Sequence, residues 1–243
     1  MHAIILAAGR GSRLKQHTAE RPKCLVEFRG RPLLVRTVNS LRAGGVSRVT
    51  VLGGYRSELL QSFVDDGLVD DLIVNEDWEA TNMVSTLLIA SQSLRAGPAI
   101  VAYGDIFFSP RIVADLCRCP SPLAIAFDPD GVALWRERFA NPLDDLEDFQ
   151  LSSTGSVTRI GFKAASLAQP QGQYMGLVRT SPSGFELLCE AFYSQSDQSL
   201  DMTSALQRVI ESGGEIAGVA NRDPWGEIDS PSDLTFFEAR STS

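Results

Sequence analysis

Histidine and cysteine are scarce: the 243 residues include two of the first and four of the second. No Cys-x-x-Cys pair occurs among Cys24, Cys117, Cys119 and Cys189, which argues against a zinc centre or a disulfide framework and leaves them as buried or incidental thiols. No apolar run approaches the ~20 residues of a spanning helix, and the opening Ala3 to Ala8 stretch lacks a basic n-region. A cytoplasmic protein with no membrane partner is therefore expected. Internal repeats, heptads and low-complexity tracts are also missing. What is present is an ordinary globular composition, 44% hydrophobic and 21% charged with a mean hydropathy of −0.01, which can bury a sizeable core and argues against disorder. The length suits one large domain or two intimately packed ones.

The net charge of −8 argues against a general nucleic-acid binder, because such a surface repels a phosphate backbone. The charge is unevenly spread. Residues 1–36 carry eight basic side chains (Arg10, Arg13, Lys15, Arg21, Lys23, Arg29, Arg31, Arg36) against Glu20 and Glu27, a local +6 that leaves −14 for the rest. A cationic segment in an acidic chain suits a small polyanion held at one site, although a solvated basic face gives the same count.

Short apolar runs alternate with amphipathic stretches through the amino-terminal half. Ala3 to Ala7 reads as a strand, Pro32 to Leu41 as a helix stopped by Gly44-Gly45, and Arg48 to Leu52 as the next strand. Ser57 to Val64 reads as helical, Leu72 to Val74 as extended, Met83 to Leu94 as helical, and Ala99 to Ala102 as extended. This βαβα order predicts a doubly wound, mostly parallel sheet with ligands at the carboxyl ends of its strands. Beyond a strand at Leu123 to Phe127 the rhythm breaks. Residues 128–150 look acidic and irregular, and strand candidates at Val157 to Phe162 and Tyr174 to Thr180 complete an expected β-rich lid over 128–180, inserted in a single domain of residues 1–243. Helices at Pro182 to Tyr193 and Met202 to Ser212, a strand at Glu215 to Val219 and a helix from about Ser232 follow.

The first strand runs into Leu6-Ala7-Ala8-Gly9-Arg10-Gly11-Ser12-Arg13, and Lys23 follows ten residues after Arg13 in Arg21-Pro22-Lys23. Glycines let backbone N–H groups approach a triphosphate, Ser12 adds a hydroxyl donor, and Arg13 and Lys23 neutralise charge. Neither GxGxxG nor GK[ST] is met, so this is not a dinucleotide fingerprint or a Walker A loop. A structural turn is the competing interpretation. Against it, Lys23 is one of three lysines beside nineteen arginines, a compact point charge kept in a chain that otherwise uses the planar fork.

The pattern LAAGRGSRL followed by RPK resembles the signature of the sugar-phosphate type of nucleotidylyltransferase, and Tyr103-Gly104-Asp105 and Glu227-Ile228-Asp229 extend the likeness in the right order. The resemblance implies a Rossmann-like, nucleotide-diphospho-sugar transferase-like fold and transfer of a nucleotide to a phosphorylated acceptor with release of pyrophosphate. It implies Lys23 and Arg13 as catalytic residues, Leu6, Ala7, Ala8, Gly9, Gly11, Ser12 and Gly104 on the nucleotide, and Asp105 and Asp229 on Mg2+. A hard ion held by one or two carboxylates and phosphate oxygens suits charge developing at an α-phosphorus. The competing interpretations are a turn residue for Asp105 and a helix cap for Asp229. Asn75 to Ser85, with Thr81, Asn82 and Ser85 near the nucleotide, and Gly172 to Leu177, with Tyr174, resemble the phosphocholine and aminoalkylphosphonate cytidylyltransferase branch. That branch implies CTP and a small phosphate- or phosphonate-bearing acceptor. The chain length is consistent with that branch, and no carboxyl-terminal β-helix of the kind many sugar-1-phosphate relatives carry is expected.

The acidic insert points the same way. Trp135 and Arg136, then Asp144, Asp145 and Glu147, join an aromatic surface, a cation and carboxylates, which suits an acceptor bearing both a phosphate and an amine. Trp78, Tyr174 and Trp225 are candidates to complete an aromatic cage, and Glu227 is placed with the acceptor. The alternatives are a solvated acidic loop with Trp135 as a core anchor, a sugar-1-phosphate nucleotidylyltransferase using another base, and a non-catalytic nucleotide-binding module. A glycosyltransferase fits less well because Asp105-Ile106-Phe107 has no second aspartate. A monomer or homodimer is expected.

Overall fold

The computed structural model describes residues 1–194 and 200–240. Seven strands form the central sheet: β1 (His2–Ala7), β2 (Arg48–Gly53), β3 (Asp71–Val74), β4 (Ala99–Tyr103), β5 (Leu123–Asp128), β8 (Gln173–Thr180) and β9 (Ala217–Ala220). Their order across the sheet is β9-β5-β8-β4-β1-β2-β3. β8 alone runs against its neighbours β4 and β5, so the sheet is mostly parallel. Between β5 and β8 lies an antiparallel hairpin, β6 (Glu147–Leu151) and β7 (Val157–Lys163).

Helices cover both faces, and the strands sort their side chains accordingly. Along β1, Ala3 and Ile5 face one core with Leu34, Val38 and Leu41 of α1 (Leu33–Ala43) and Ile112, Val113 and Leu116 of α5 (Pro110–Arg118). Ile4 and Leu6 face the other core with Val84 and Leu87 of α3 (Met83–Ile89), Leu94 of α4 (Ser91–Ala96) and Phe185 and Leu188 of α7 (Pro182–Tyr193). Period-two alternation with apolar residues on both sides is what a doubly covered parallel strand requires. A third cluster joins Leu14, Val26, Phe28 and Leu33 to Ile228, Leu234 and Phe237, the last two in α9 (Pro231–Ala239). It ties the basic amino-terminal segment to the far end of the chain.

Several expected elements change. The 83–94 helix breaks at Ala90 into α3 and α4. The 57–64 helix begins as a 3-10 turn, Ser57–Leu60, before a short α2 (Gln61–Asp65). α5, capped by Ser109 with Pro110 in its first turn, was not expected, nor was α6 (Gly131–Arg138) within the stretch that reads as irregular. The lid boundary also moves, because 173–180 is not cover but β8, hydrogen-bonded on both sides inside the central sheet. The hairpin is packed into the core as well, with Phe149 and Ile160 fully buried beside Ala205 and Leu206 of α8 (Met202–Glu211). Among the described residues no helix is long and apolar enough to cross a membrane.

Candidate active site

The carboxyl ends of β1 and β4 lie side by side, with Leu6 in register with Tyr103 and the Gly104 N–H donating to the Leu6 carbonyl at 2.9 Å. A Cβ on Gly104 would stand 2.8 Å from that carbonyl oxygen, so only glycine lets the two loops close up. Gly11 adopts φ +71°, and a Cβ there would meet the Lys23 stem at 2.8 Å. The loop therefore turns where glycine permits it and packs directly on the lysine. A cavity of about 260 Å³ opens here, lined by Leu6, Ala7, Gly9, Gly11, Ser12, Arg13, Lys23 and Gly104 among others.

The far carboxylates arrive by a short antiparallel pairing. Ile106–Phe107 pairs with Gly226–Glu227, and the Ile228 N–H donates to the Asp105 carbonyl at 2.9 Å, which draws Asp229 up to Asp105 across more than a hundred residues of sequence. Ser230 takes over the N-cap of α9 in a capping box with Asp233, leaving the Asp229 carboxylate for the site. Lys23 Nζ then lies 2.5 Å from Asp105 Oδ2 and also contacts Asp229 Oδ1, while Arg13 pairs with Asp229 from the solvent side. Burial alone would depress the Lys23 ammonium, but Asp105, Asp229 and Glu227 outweigh it and raise its pKa above the ordinary lysine value. Burial, with Asp105 and Asp229 alongside, pushes the Glu227 carboxyl up to about 8 against the pull of Lys23.

Asp105, Glu227 and Asp229 each present an oxygen within 4.8 Å of the others. Asp105 Oδ1 is buried with no hydrogen-bond partner. Three hard oxygen donors, one of them unsatisfied, are a donor set suited to a divalent ion such as Mg2+. Glu227, expected with the acceptor, thus joins the carboxylate cluster of Asp105 and Asp229.

A second cavity of about 340 Å³ shares Arg13, Asp105 and Asp229 with the first and extends to Trp135, Asp145, Glu147, Tyr174 and Trp225. Sequence reasoning missed Gln173, Asp201 and Thr203 on its wall. Trp135 is 2% exposed and donates its indole N–H to Asp145 Oδ2 at 3.1 Å. Beneath it runs a buried ion pair that the sequence did not reveal. Arg138 Nε donates to Asp233 Oδ1 at 2.6 Å, its guanidinium lies 5.1 Å from the Trp135 ring centre, and Asp233 Oδ2 accepts from the Asp229 and Ser230 backbone N–H groups at 3.1 and 2.7 Å.

A family model described as the MobA-like NTP transferase domain matches residues 3–159. The chain is 33% identical to the CTP:phosphoglutamine cytidylyltransferase of Campylobacter jejuni, over 96% of this chain and 98% of that one. The chain belongs to the MobA-like NTP transferase family. It is also 26% identical to the 2-aminoethylphosphonate cytidylyltransferase of Lancefieldella rimae, over 66% of this chain and 60% of that one. The fold matches the solved inositol-1-phosphate CTP transferase from T. maritima with a TM-score of 0.79 at 20% identity, over 98% of this chain and 94% of that one.

Within this NTP transferase, other expected site residues lie elsewhere. Arg136 is exposed on α6 and lines neither cavity, because Trp135 and Arg138 occupy the inward face of that helix. Asp144 is exposed and accepts from Asn141 at 2.8 Å, outside both cavities. Thr81, Asn82 and Ser85 also fall outside them. Thr81 is held by Asn75 at 2.9 Å, and Asn82 caps α3 by accepting from the Ser85 N–H. Of that segment Met83 lines both cavities. Ala8 is buried, its carbonyl accepting from the Tyr55 N–H at 2.9 Å, and lines neither. Trp78 packs edge-on against Tyr55, away from the second cavity.

Proposed function

We propose that this protein transfers CMP from CTP to a small phosphorylated or phosphonylated amine and releases pyrophosphate. The observation that carries the proposal is the Lys23, Asp105, Asp229 and Glu227 cluster standing between a glycine-lined cavity and an acidic, aromatic one. The triphosphate would lie along Gly9 to Arg13, where backbone N–H groups and the two cations meet its charge. Asp105 and Asp229, with Glu227, would hold Mg2+, which when bound offsets negative charge on the phosphates.

An acceptor phosphate or phosphonate oxygen attacks the α-phosphorus, and the bond from that phosphorus to the bridging oxygen of the β-phosphate breaks. The electron pair leaves with pyrophosphate. The attacking oxygen is already anionic at neutral pH, so no side chain has to remove a proton. Lys23 and Arg13 lower the barrier by placing positive charge beside the phosphates and aligning the two reactants. CTP is favoured by the Campylobacter jejuni relative, whose name carries it, and by the Lancefieldella rimae relative, which is named a cytidylyltransferase. An amine is favoured by the second cavity, where among the described lining residues Asp145, Glu147 and Asp201 add carboxylates and Arg13 is the one arginine or lysine.

On this reading the chain is a single nucleotidylyltransferase domain with residues 128–172 covering the acceptor. It would act in the cytoplasm as a monomer or homodimer, without a nucleic-acid or membrane partner. Pyrophosphate release measured across four nucleoside triphosphates and a panel of phospho-amines, phosphonates and sugar phosphates tests the proposal. CTP with a phosphorylated or phosphonylated amine should give the highest kcat/KM. A higher value for UTP, GTP or dTTP with a sugar phosphate would replace it with the sugar-1-phosphate reaction.

A further inference from the structure

Gln173 opens β8, opposite Asp128 of β5, and lines the acidic cavity while only 5% exposed. Its Oε1 is buried and accepts a hydrogen bond from no described group of the protein. A buried amide oxygen without a donor is costly to the fold, and a donor arriving with a ligand relieves part of that cost. The Asp145, Glu147 and Asp201 carboxylates on this wall are acceptors too when ionised, beside the hydroxyls of Tyr103, Tyr174 and Thr203.

The aromatic groups of the same cavity are already engaged by the chain itself. The Arg138 guanidinium lies over the Trp135 ring, Trp225 stacks on Trp135 with ring centres 6.0 Å apart, and Tyr174 meets Tyr103 edge to face at 5.9 Å. A trimethylammonium group is recognised by open aromatic faces and has no N–H to offer. A primary ammonium or a carboxamide carries N–H donors and needs oxygens instead.

We infer that Gln173, together with Glu147 and Asp201, selects an acceptor whose end remote from the phosphate carries N–H donors, a primary ammonium or a carboxamide, and disfavours a quaternary ammonium. This rests on the reading of the cavity as the acceptor site. Glu147 adds support: burial, then Asp201 and Asp145, push its carboxyl up to about 7, and an N–H donor that pairs with its ionised form offsets those causes. Gly131 fixes the Gln173 backbone closely, since a Cβ there would stand 2.3 Å from the Gln173 Cβ.

The test is an N-methylation series. Pyrophosphate release from CTP is measured with 2-aminoethylphosphonate and its mono-, di- and trimethylated forms, with phosphoethanolamine against phosphocholine, and with a phosphorylated carboxamide, in wild type, Gln173→Leu and Asp201→Asn. The asparagine keeps the N-cap that Asp201 supplies to α8. Wild type should favour N–H-bearing acceptors over trimethylated ones by roughly ten- to a hundredfold in kcat/KM. Gln173→Leu should narrow that ratio at least fivefold by slowing the N–H-bearing acceptors more than the trimethylated ones, and Asp201→Asn should narrow it for the ammonium but not for the carboxamide. The ammonium and carboxamide arms show which donor the site takes. Wild type using trimethylated acceptors equally well or better, or both variants keeping the wild-type ratio, would overturn the inference while leaving the cytidylyltransferase reading intact. Turnover with sugar phosphates alone would overturn both.

Discussion

Replacing Lys23 by methionine keeps the aliphatic stem that packs under Gly11 and removes only the ammonium. The charge it leaves behind is poorly solvated: the side chains of Lys23, Asp105 and Asp229 are 13%, 15% and 12% exposed. Taking one partner from a buried ion pair costs about 3–5 kcal/mol, because the other charge stays behind without compensation. For a chain of this size that converts to a fall in Tm of roughly 6 to 20 °C. Thermal unfolding in EDTA should show it, and millimolar Mg2+ should then restore more stability to the variant than it adds to wild type, since the three carboxylates have lost their internal cation. Pyrophosphate release at saturating Mg2+ should fall by at least about a hundredfold, the scale of losing one preorganised charge at a reacting phosphate. Unfolding in EDTA within about 2 °C of wild type would refute the claim that Lys23 balances the cluster. Undiminished turnover by a folded variant would remove it from the site.

Asp105→Asn and Asp229→Asn should each weaken divalent-ion binding measured by calorimetry, and the double variant should lose far less than the two losses combined, as expected for groups sharing one ion; additive losses would separate them. Asp145→Asn keeps an oxygen for the Trp135 indole N–H but removes a carboxylate charge, so it should reduce the preference for an amine over its hydroxy analogue at least threefold with little change in Tm. Trp135→Ala is expected to cost about 3–5 kcal/mol of stability, read from denaturant unfolding, because the ring is 2% exposed and packed against Trp225 and Arg138. Glu147 has a folded pKa of about 7 against an ordinary 4.5, so its stabilising contribution is complete below about pH 4.5 and is lost as pH rises through 7. Stability should therefore fall across that window by up to about 3 kcal/mol, and Glu147→Gln should flatten the slope.

Local chemistry explains which parts of this site could be read from sequence. The Gly9 to Lys23 loop is contiguous, and its glycines, its cations and Pro22 mark it without reference to anything distant. Asp105 and Asp229 follow strand ends, where ligand-binding carboxylates collect in open α/β sheets. The acceptor side resisted because its residues are chosen by rotation and register. On α6 Trp135 and Arg138 are three apart and share a face, while Arg136 turns about 100° away into solvent. Asp144 and Asp145 are neighbours in a tight turn, and only the second faces the indole. On the nucleotide side, Thr81 and Asn82 stand at a helix start, where the Asn82 side chain accepts from the Ser85 backbone N–H. β8 was mistaken for cover because an antiparallel strand entering a parallel sheet after a long excursion breaks the βαβα rhythm that identifies the others.

The buried pair of Arg138 and Asp233 gives these scattered parts a common support. Asp233 holds the Asp229 and Ser230 backbone with one carboxylate oxygen and Arg138 with the other, and Arg138 lies over the ring of Trp135. One end of this strut sets the carboxylate that pairs with Lys23, and the other sets the Trp135 wall of the second cavity. Its two members are 95 residues apart in sequence and both nearly inaccessible, with side-chain exposures of 3% and 4%. An ion pair so far from water contributes little net stability once desolvation is counted, but its hydrogen-bond geometry admits few alternatives. Its value to the protein therefore lies in position: it holds the two cavities in fixed relation about the carboxylates of Asp105 and Asp229 that line both.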